Sequence, residues 1–310
     1  MKSLKLQLLV TLVATAAAAG IFIHRGPPPG QPIWDAVWAG DLVQVRRALN
    51  WVADANATSE SGVTLLHLAV GTGAQEVAEL LVARGADPAA RDVNGSTPLH
   101  RARTRDVAEL LIAHGADVNA RNRVRDTPLH QAARAASKDV AELLIAHGAD
   151  VNARTDISRT PLHGAASRDV AEVLIARGAN INARDWRGRT PLHGAKPQVA
   201  ELLIARGIPV DARDKDGGTP MHMAGECVSK NKAAALIALK ADINARDKQG
   251  RTPLHRAAEY NRKEVAELLI TQGADINIKD SRGWTPLRRA ATSYYGKDVA
   301  DLLRRHGAKE

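Results

Sequence analysis

Seven histidines, His67, His100, His130, His163, His193, His222 and His255, stand fourth in a tetrapeptide TPLH or a near variant of it. The tetrapeptide begins at Thr64, Thr97, Thr127, Thr160, Thr190, Thr219 and Thr252, and again at Thr285, where Arg288 replaces the histidine. Imidazole is the commonest metal ligand. A metal, however, needs its ligands within a few ångströms, and residues that recur once per packed helical layer stand roughly 10 Å apart. The spacing therefore assigns these histidines a structural role, and no metal site is expected. The one cysteine, Cys227, excludes an internal disulfide, a multi-cysteine zinc site and a CxxC redox pair. No general base stands at a meaningful spacing from it. The motifs HExxH, GxSxG and GxxxxGK[ST] do not occur, and the acidic residues fall mostly at turn and cap positions. No enzyme, catalytic residue or cofactor is expected.

Binding chemistry is better represented. Arg91, Arg121, Arg154, Arg184, Arg213, Arg246 and Lys279 recur in register on the turn between successive units. Five of them are followed directly by Asp92, Asp185, Asp214, Asp247 and Asp280, which reads as charge that is compensated locally and solvated. The stretch from Thr97 to Ala136 departs from this, with seven arginines against Asp106, Glu109, Asp117 and Asp126. Arg101, Arg103, Arg121, Arg123, Arg125 and Arg134 are accordingly candidates to meet an acidic or mixed-charge protein partner. Trp186 and Trp284, on the turns, and Tyr260, near a first-helix end, are candidate aromatic anchors. Packing of each Trp against a neighbouring turn is the competing reading. The net charge of +9 also admits a polyanion or nucleic acid bound along the basic column. That reading is the weaker one, because Asp interrupts the column and aromatics make up only 3% of the chain.

The elements that position these residues follow from the repeat. Thr before Pro places an N-cap hydroxyl beside a proline at the first helical position, where its missing N–H costs nothing. A second helix of the VAELLIA type follows, with Val107, Leu110, Leu111 and Ile112 as one example of its apolar face. It ends on a cation and a glycine, as at His114 and Gly115, matching the helix dipole and a left-handed cap. Lys240 and Val52 take the place of that glycine, so local rearrangement is expected there. The units beginning at Thr97, Thr160 and Thr190 are three or four residues short, about one helical turn. This implies either a notch in the surface or a tolerated deletion. One unit cannot bury its apolar face alone, whereas stacked units can. The composition agrees, since 45% of residues are hydrophobic yet the only Phe is Phe22, so thin layers must be filled by Ala, Leu, Val and Ile.

From Ile33 onward the chain resembles the ankyrin repeat family, on the eight register-matched TPLH-type segments, the VAELLIA helices and the GAD turns. The resemblance implies an all-α repeat solenoid of helix-turn-helix units with projecting, hairpin-like finger loops. It implies about nine units over 33–310, including an N-terminal cap (Trp34, Val37, Trp38, Leu42, Val45, Leu49) and a C-terminal cap from Thr285 with a polar face of Arg304, Arg305 and Lys309. It further implies that each TPLH histidine bonds the Thr of its own unit and the backbone of the adjoining one. The implied function is a non-catalytic protein-binding module using the groove of fingers and first helices.

Residues 1–25 read as a signal peptide or a signal anchor, with Lys2 and Lys5 before an apolar run from Leu6 to Ile23 and Arg25 after it. Ala17 to Ala19 fit a cleavage site, while the continuation through Ile23 fits retention. Residues 26–32, with Pro27, Pro28, Pro29 and Gly30, form a stiff linker. The repeats are expected to be exported to the periplasm or the extracytoplasmic face of the membrane, with membrane contact through the N-terminal segment if it is uncleaved.

Overall fold

The computed structural model describes residues 32–51, 53–226, 229–294 and 296–309. The expected leader, the linker up to residue 31, Val52, Cys227 and Tyr295 lie outside the described residues. Among the described residues no helix is long and apolar enough to cross a membrane. The chain divides into two compact units, residues 1–87 and 88–310.

In the first, the helices Pro32–Ala39 and Leu42–Trp51 precede a helix pair, Leu65–Thr72 and Gln75–Ala83. Trp34, Val37 and Val45 are buried, as their helical spacing requires. Thr64 caps its helix, accepting from the His67 N–H while the Thr64 N–H donates to His67 Nδ1. Gly73, with φ of 79°, ends that helix in the left-handed region where a side chain is disfavoured.

The second unit repeats one theme seven times. A first helix opens at each Thr-Pro, and a second helix of nine residues follows, as in Arg105–Ala113, Lys138–Ala146 and Lys263–Thr271. The second helix buries one Val, one Ala and one Leu per turn set, such as Val140, Ala141 and Leu144. The alanines Ala108, Ala141, Ala171, Ala200, Ala233 and Ala266 are wholly buried, and their small side chains let neighbouring layers approach closely.

The missing turn of the short units is taken from the first helix itself. Full-length first helices such as Pro128–Arg134 and Pro253–Glu259 have seven residues, whereas Pro98–Arg101 and Pro161–Gly164 are four-residue 3-10 helices and Pro191–Gly194 is a single α-turn. The freed backbone is satisfied by neighbouring layers. The Ala166 N–H donates to the Ala133 carbonyl at 3.0 Å, and the Lys232 ammonium donates to the His193 carbonyl at the end of the truncated turn. Lys232 sits where the other second helices bury Val, and it is itself buried.

Cap positions follow the sequence reading with one correction. Gly85, Gly115, Gly148, Gly178, Gly207 and Gly307 all have φ between 78° and 91°. Lys240 does not rearrange the cap; it adopts the left-handed conformation itself, with φ of 67°. The two cap bonds are kept, from Lys240 N–H to Ile237 and from Ala241 N–H to Leu236, so the helix end is bought at the cost of strain in a side-chain-bearing residue.

A candidate partner-binding surface on the fingers

Each finger of the second unit is a five-residue turn that is built the same way, from 92–96 through 280–284. The first residue donates its N–H to the fifth residue's carbonyl, at 3.0 Å in Asp92 to Ser96 and 2.9 Å in Asp280 to Trp284. Where it is Asp or Asn, its side chain then accepts the N–H groups of the third and fifth residues, as Asp185 does from Arg187 and Arg189 and Asp247 does from Gln249 and Arg251; Thr155 accepts only from the fifth, Arg159. The fourth residue must turn left-handed, which explains Gly95, Gly188, Gly217, Gly250 and Gly283. Two fingers lack this glycine, and Arg125 (φ 59°) and Ser158 (φ 57°) hold the conformation instead.

Neighbouring fingers are laced together by one recurrent bond, from the second residue's N–H to the third residue's carbonyl in the preceding finger. It joins Arg123 to Asn94, Asp156 to Val124, Trp186 to Ile157, Lys215 to Arg187, Lys248 to Asp216 and Ser281 to Gln249, at 2.8 to 3.1 Å. The TPLH histidines fasten each finger to the unit before it. In His100, His130, His163, His193, His222 and His255, Nδ1 accepts the N–H of the unit's own Thr and Nε2 reaches the fifth carbonyl of the next finger, at 2.9 to 3.2 Å. A carbonyl only accepts, so Nε2 carries the proton and the ring is neutral. Burial lowers the pKa of all six, that of His193 to about 4.

This geometry corrects the reading of the charge column. The finger aspartates are not solvated partners of the arginines that precede them; Asp92, Asp185, Asp247 and Asp280 are buried. Asp92, Asp247 and Asp280 pair instead with an arginine nine residues on, in the first helix: Arg101 at 2.8 Å, Arg256 at 3.3 Å and Arg289 at 2.6 Å. The preceding arginines reach sideways, and Arg91, Arg154, Arg184, Arg213 and Arg246 each donate to the corresponding backbone carbonyl of the next finger. Most of the column thus serves to hold the fingers in line.

Of the sequence candidates, Arg101 is therefore an ion-paired clamp, and Arg134 pairs with the buried Asp126. Arg121, Arg123 and Arg125 come together, exposed on one finger, and form no side-chain ion pair among the described residues. That finger begins with Asn122 where most others have Asp, and the next begins with Thr155, so two consecutive fingers lack an acid at the first position; the Asn122 finger buries Asp126 at its fifth position instead, against Arg134. Arg103 is exposed on the turn after its short helix, at the end remote from the finger. Trp186 is 52% exposed, with the Arg187 guanidinium 4.8 Å from its ring centre. Trp284 is half-buried and covered by Arg288 and Arg289 at 5.1 and 4.9 Å. Tyr260, exposed, follows the C-terminal end of its first helix, away from the fingers. Sequence reasoning missed Val93, Val124 and Ile157, which are exposed on the same fingers; a β-branched residue at a tight-turn tip, where polar residues are usual, was the available signal.

Ankyrin repeat models match residues 33–122, 105–185 and 229–310 with the three-copy form, and 187–215 with the single repeat. Over 64 residues, 20% of the chain, it is 47% identical to mouse 2-5A-dependent ribonuclease, and over 69 residues, 22% of it, 46% identical to human ARF GTPase-activating protein GIT1. Each match spans 9% of that relative's length. An ankyrin repeat-containing protein of Schizosaccharomyces pombe is 39% identical over 67 residues, 22% of this chain and 32% of its own.

Proposed function

Because the chain belongs to the ankyrin repeat family, whose repeats generally mediate protein–protein interaction, we propose that it is a non-catalytic scaffold that binds an acidic or mixed-charge protein through its fingers. The observation that supports this most is the finger around Asn122, where Arg121, Arg123 and Arg125 are exposed together and the one acid of the finger, Asp126, is buried against Arg134 rather than paired with them. A cationic tip on a laced, rigid row of turns is pre-organised, so little entropy is lost when a partner docks. The test is affinity capture with the full chain and with Arg121→Glu, Arg123→Glu and Arg125→Glu combined. Loss of the captured protein with unchanged helical circular dichroism supports the proposal; undiminished capture refutes it. Polyanion binding along the column is the alternative and separates by salt, since it weakens steeply and without sequence preference as salt rises.

We further propose that residues 1–25 direct the repeats to the extracytoplasmic side of the membrane. The support is the order of Lys2 and Lys5, the apolar run and Arg25. Protease added outside spheroplasts of expressing bacteria should digest the repeats, and protection from it would overturn the assignment. N-terminal sequencing of the mature chain decides between cleavage after Ala19 and retention.

A further inference from the structure

Eight large apolar side chains are exposed among the described residues, and four of them, Val93, Val124, Ile157 and Trp186, sit on four consecutive fingers. Those fingers are the ones laced by the bonds from Arg123 to Asn94, Asp156 to Val124 and Trp186 to Ile157, so the four side chains are held side by side rather than scattered. The next three fingers carry Lys215 and Asp216, Lys248 and Gln249, and Ser281 and Arg282 at the same two tip positions. The apolar row therefore ends where the polar tips begin. The same stretch contains all three truncated first helices, Pro98–Arg101, Pro161–Gly164 and Pro191–Gly194, which shorten the ledge beside the row.

Charge selects the occupant. Arg121, Arg123, Arg125 and Arg187 are exposed around the row. Of the carboxylates on these four fingers, Asp92, Asp126 and Asp185 are buried and Asp156 is exposed. A nucleic acid would use the arginines and leave the valines and isoleucine in water, whereas a chain that intersperses apolar side chains among carboxylates would use both. Each hairpin-like finger is about two strand spacings wide, roughly 10 Å. Four fingers span roughly 30 Å, which about ten residues in a polyproline-II conformation cover, with every third side chain returning to the same face to meet a new finger.

Resting on the reading that the fingers bind protein, we infer that Val93, Val124, Ile157 and Trp186, with their flanking arginines, form the seat for an extended acidic segment bearing interspersed aliphatic side chains. The experiment uses the full chain and three fluorescent probes: a dodecapeptide of repeated Glu-Glu-Leu, the same peptide with Ser for every Leu, and an oligothymidylate of equal length. The Glu-Glu-Leu peptide should bind at least tenfold more tightly than the other two at physiological salt. Val124→Ser with Ile157→Ser, and separately Arg123→Gln with Arg125→Gln, should each weaken it at least tenfold, while Arg282→Gln on a polar finger changes nothing. Equal binding of the probes, no binding of the Glu-Glu-Leu peptide, or indifference to the Val124 and Ile157 changes would overturn the assignment. If a natural protein partner is captured and its binding survives both double variants, this seat is wrong while the protein-binding reading stands; if the three-arginine reversal also spares capture, both fall.

Discussion

Asp280 shows why adjacency along the chain misplaced the finger charges. Burial alone would push its pKa up, but the Trp284 and Arg282 N–H groups and the Arg289 guanidinium hold it below the ordinary carboxylate range. Its neighbour in sequence, Lys279, forms no ion pair with it; the counter-ion is Arg289, nine residues on, because the chain must leave the turn and complete a helical turn before it faces the carboxylate again. That relation exists only in three dimensions, and so it escaped the sequence. Asp280→Asn keeps one acceptor but strips Arg289 of its charge partner, and should cost about 1–3 kcal/mol in a urea melt. The converse holds at Asp211, where most other units have an Asn; Asn119, for one, clamps the next cap, accepting from Asp150 and donating to Gly148. Asp211 accepts from the Asp242 N–H at 3.2 Å but has no proton to give, and burial, with the nearby Asp242 charge, raises its pKa. Asp211→Asn restores the donor and should stabilise by about 1 kcal/mol. Arg125→Gly relieves a left-handed arginine and should stabilise by a similar amount, about 1 kcal/mol, while weakening partner capture, a combination that a merely structural arginine would not give.

At the scale of helices, the repeat register was legible almost throughout, because Thr-Pro starts and glycine stops are local backbone chemistry. The truncated helices were legible as a deletion, yet their repair was not. Whether Lys232 is a buried error or a cap for the His193 carbonyl depends on the layer beside it. The layer containing Lys230–Ala238 combines three departures: Lys232 at a Val position, Lys240 in a strained cap and Asp211 at its turn. Stability in a stack is a sum of unit and neighbour terms, so this layer should open before its neighbours. Amide exchange by mass spectrometry should show residues 230–245 exchanging faster than 138–153. Lys240→Gly should slow exchange there, by about 1 kcal/mol of local opening energy, and leave 138–153 unchanged; equal rates in the two segments would refute the weak-layer account.

Across the whole molecule, the same six imidazoles that lace fingers to units make the array sensitive to acid. Each is neutral when folded, donating from Nε2 and accepting at Nδ1, and protonation would set a second N–H against the Thr N–H it now accepts. Burial depresses their folded pKa values, to about 4 at His193, whereas an unfolded histidine titrates near 6.5. Between those values the unfolded chain binds more protons than the folded one, so unfolding is favoured as the pH falls. Their contribution is complete above about pH 6.5 and is lost progressively toward pH 4, a change of about 3 kcal/mol for His193 alone. Thermal melts of the full chain at constant ionic strength should therefore be flat from pH 8 to 7 and fall steadily from pH 6.5 to 4.5. His193→Asn should lower the melting temperature at pH 7 and shrink the fall below pH 6.5, since the group that takes up the proton on unfolding is gone. A variant destabilised to the same extent but with an unaltered pH slope would show that the histidines hold the fingers without setting the acid response.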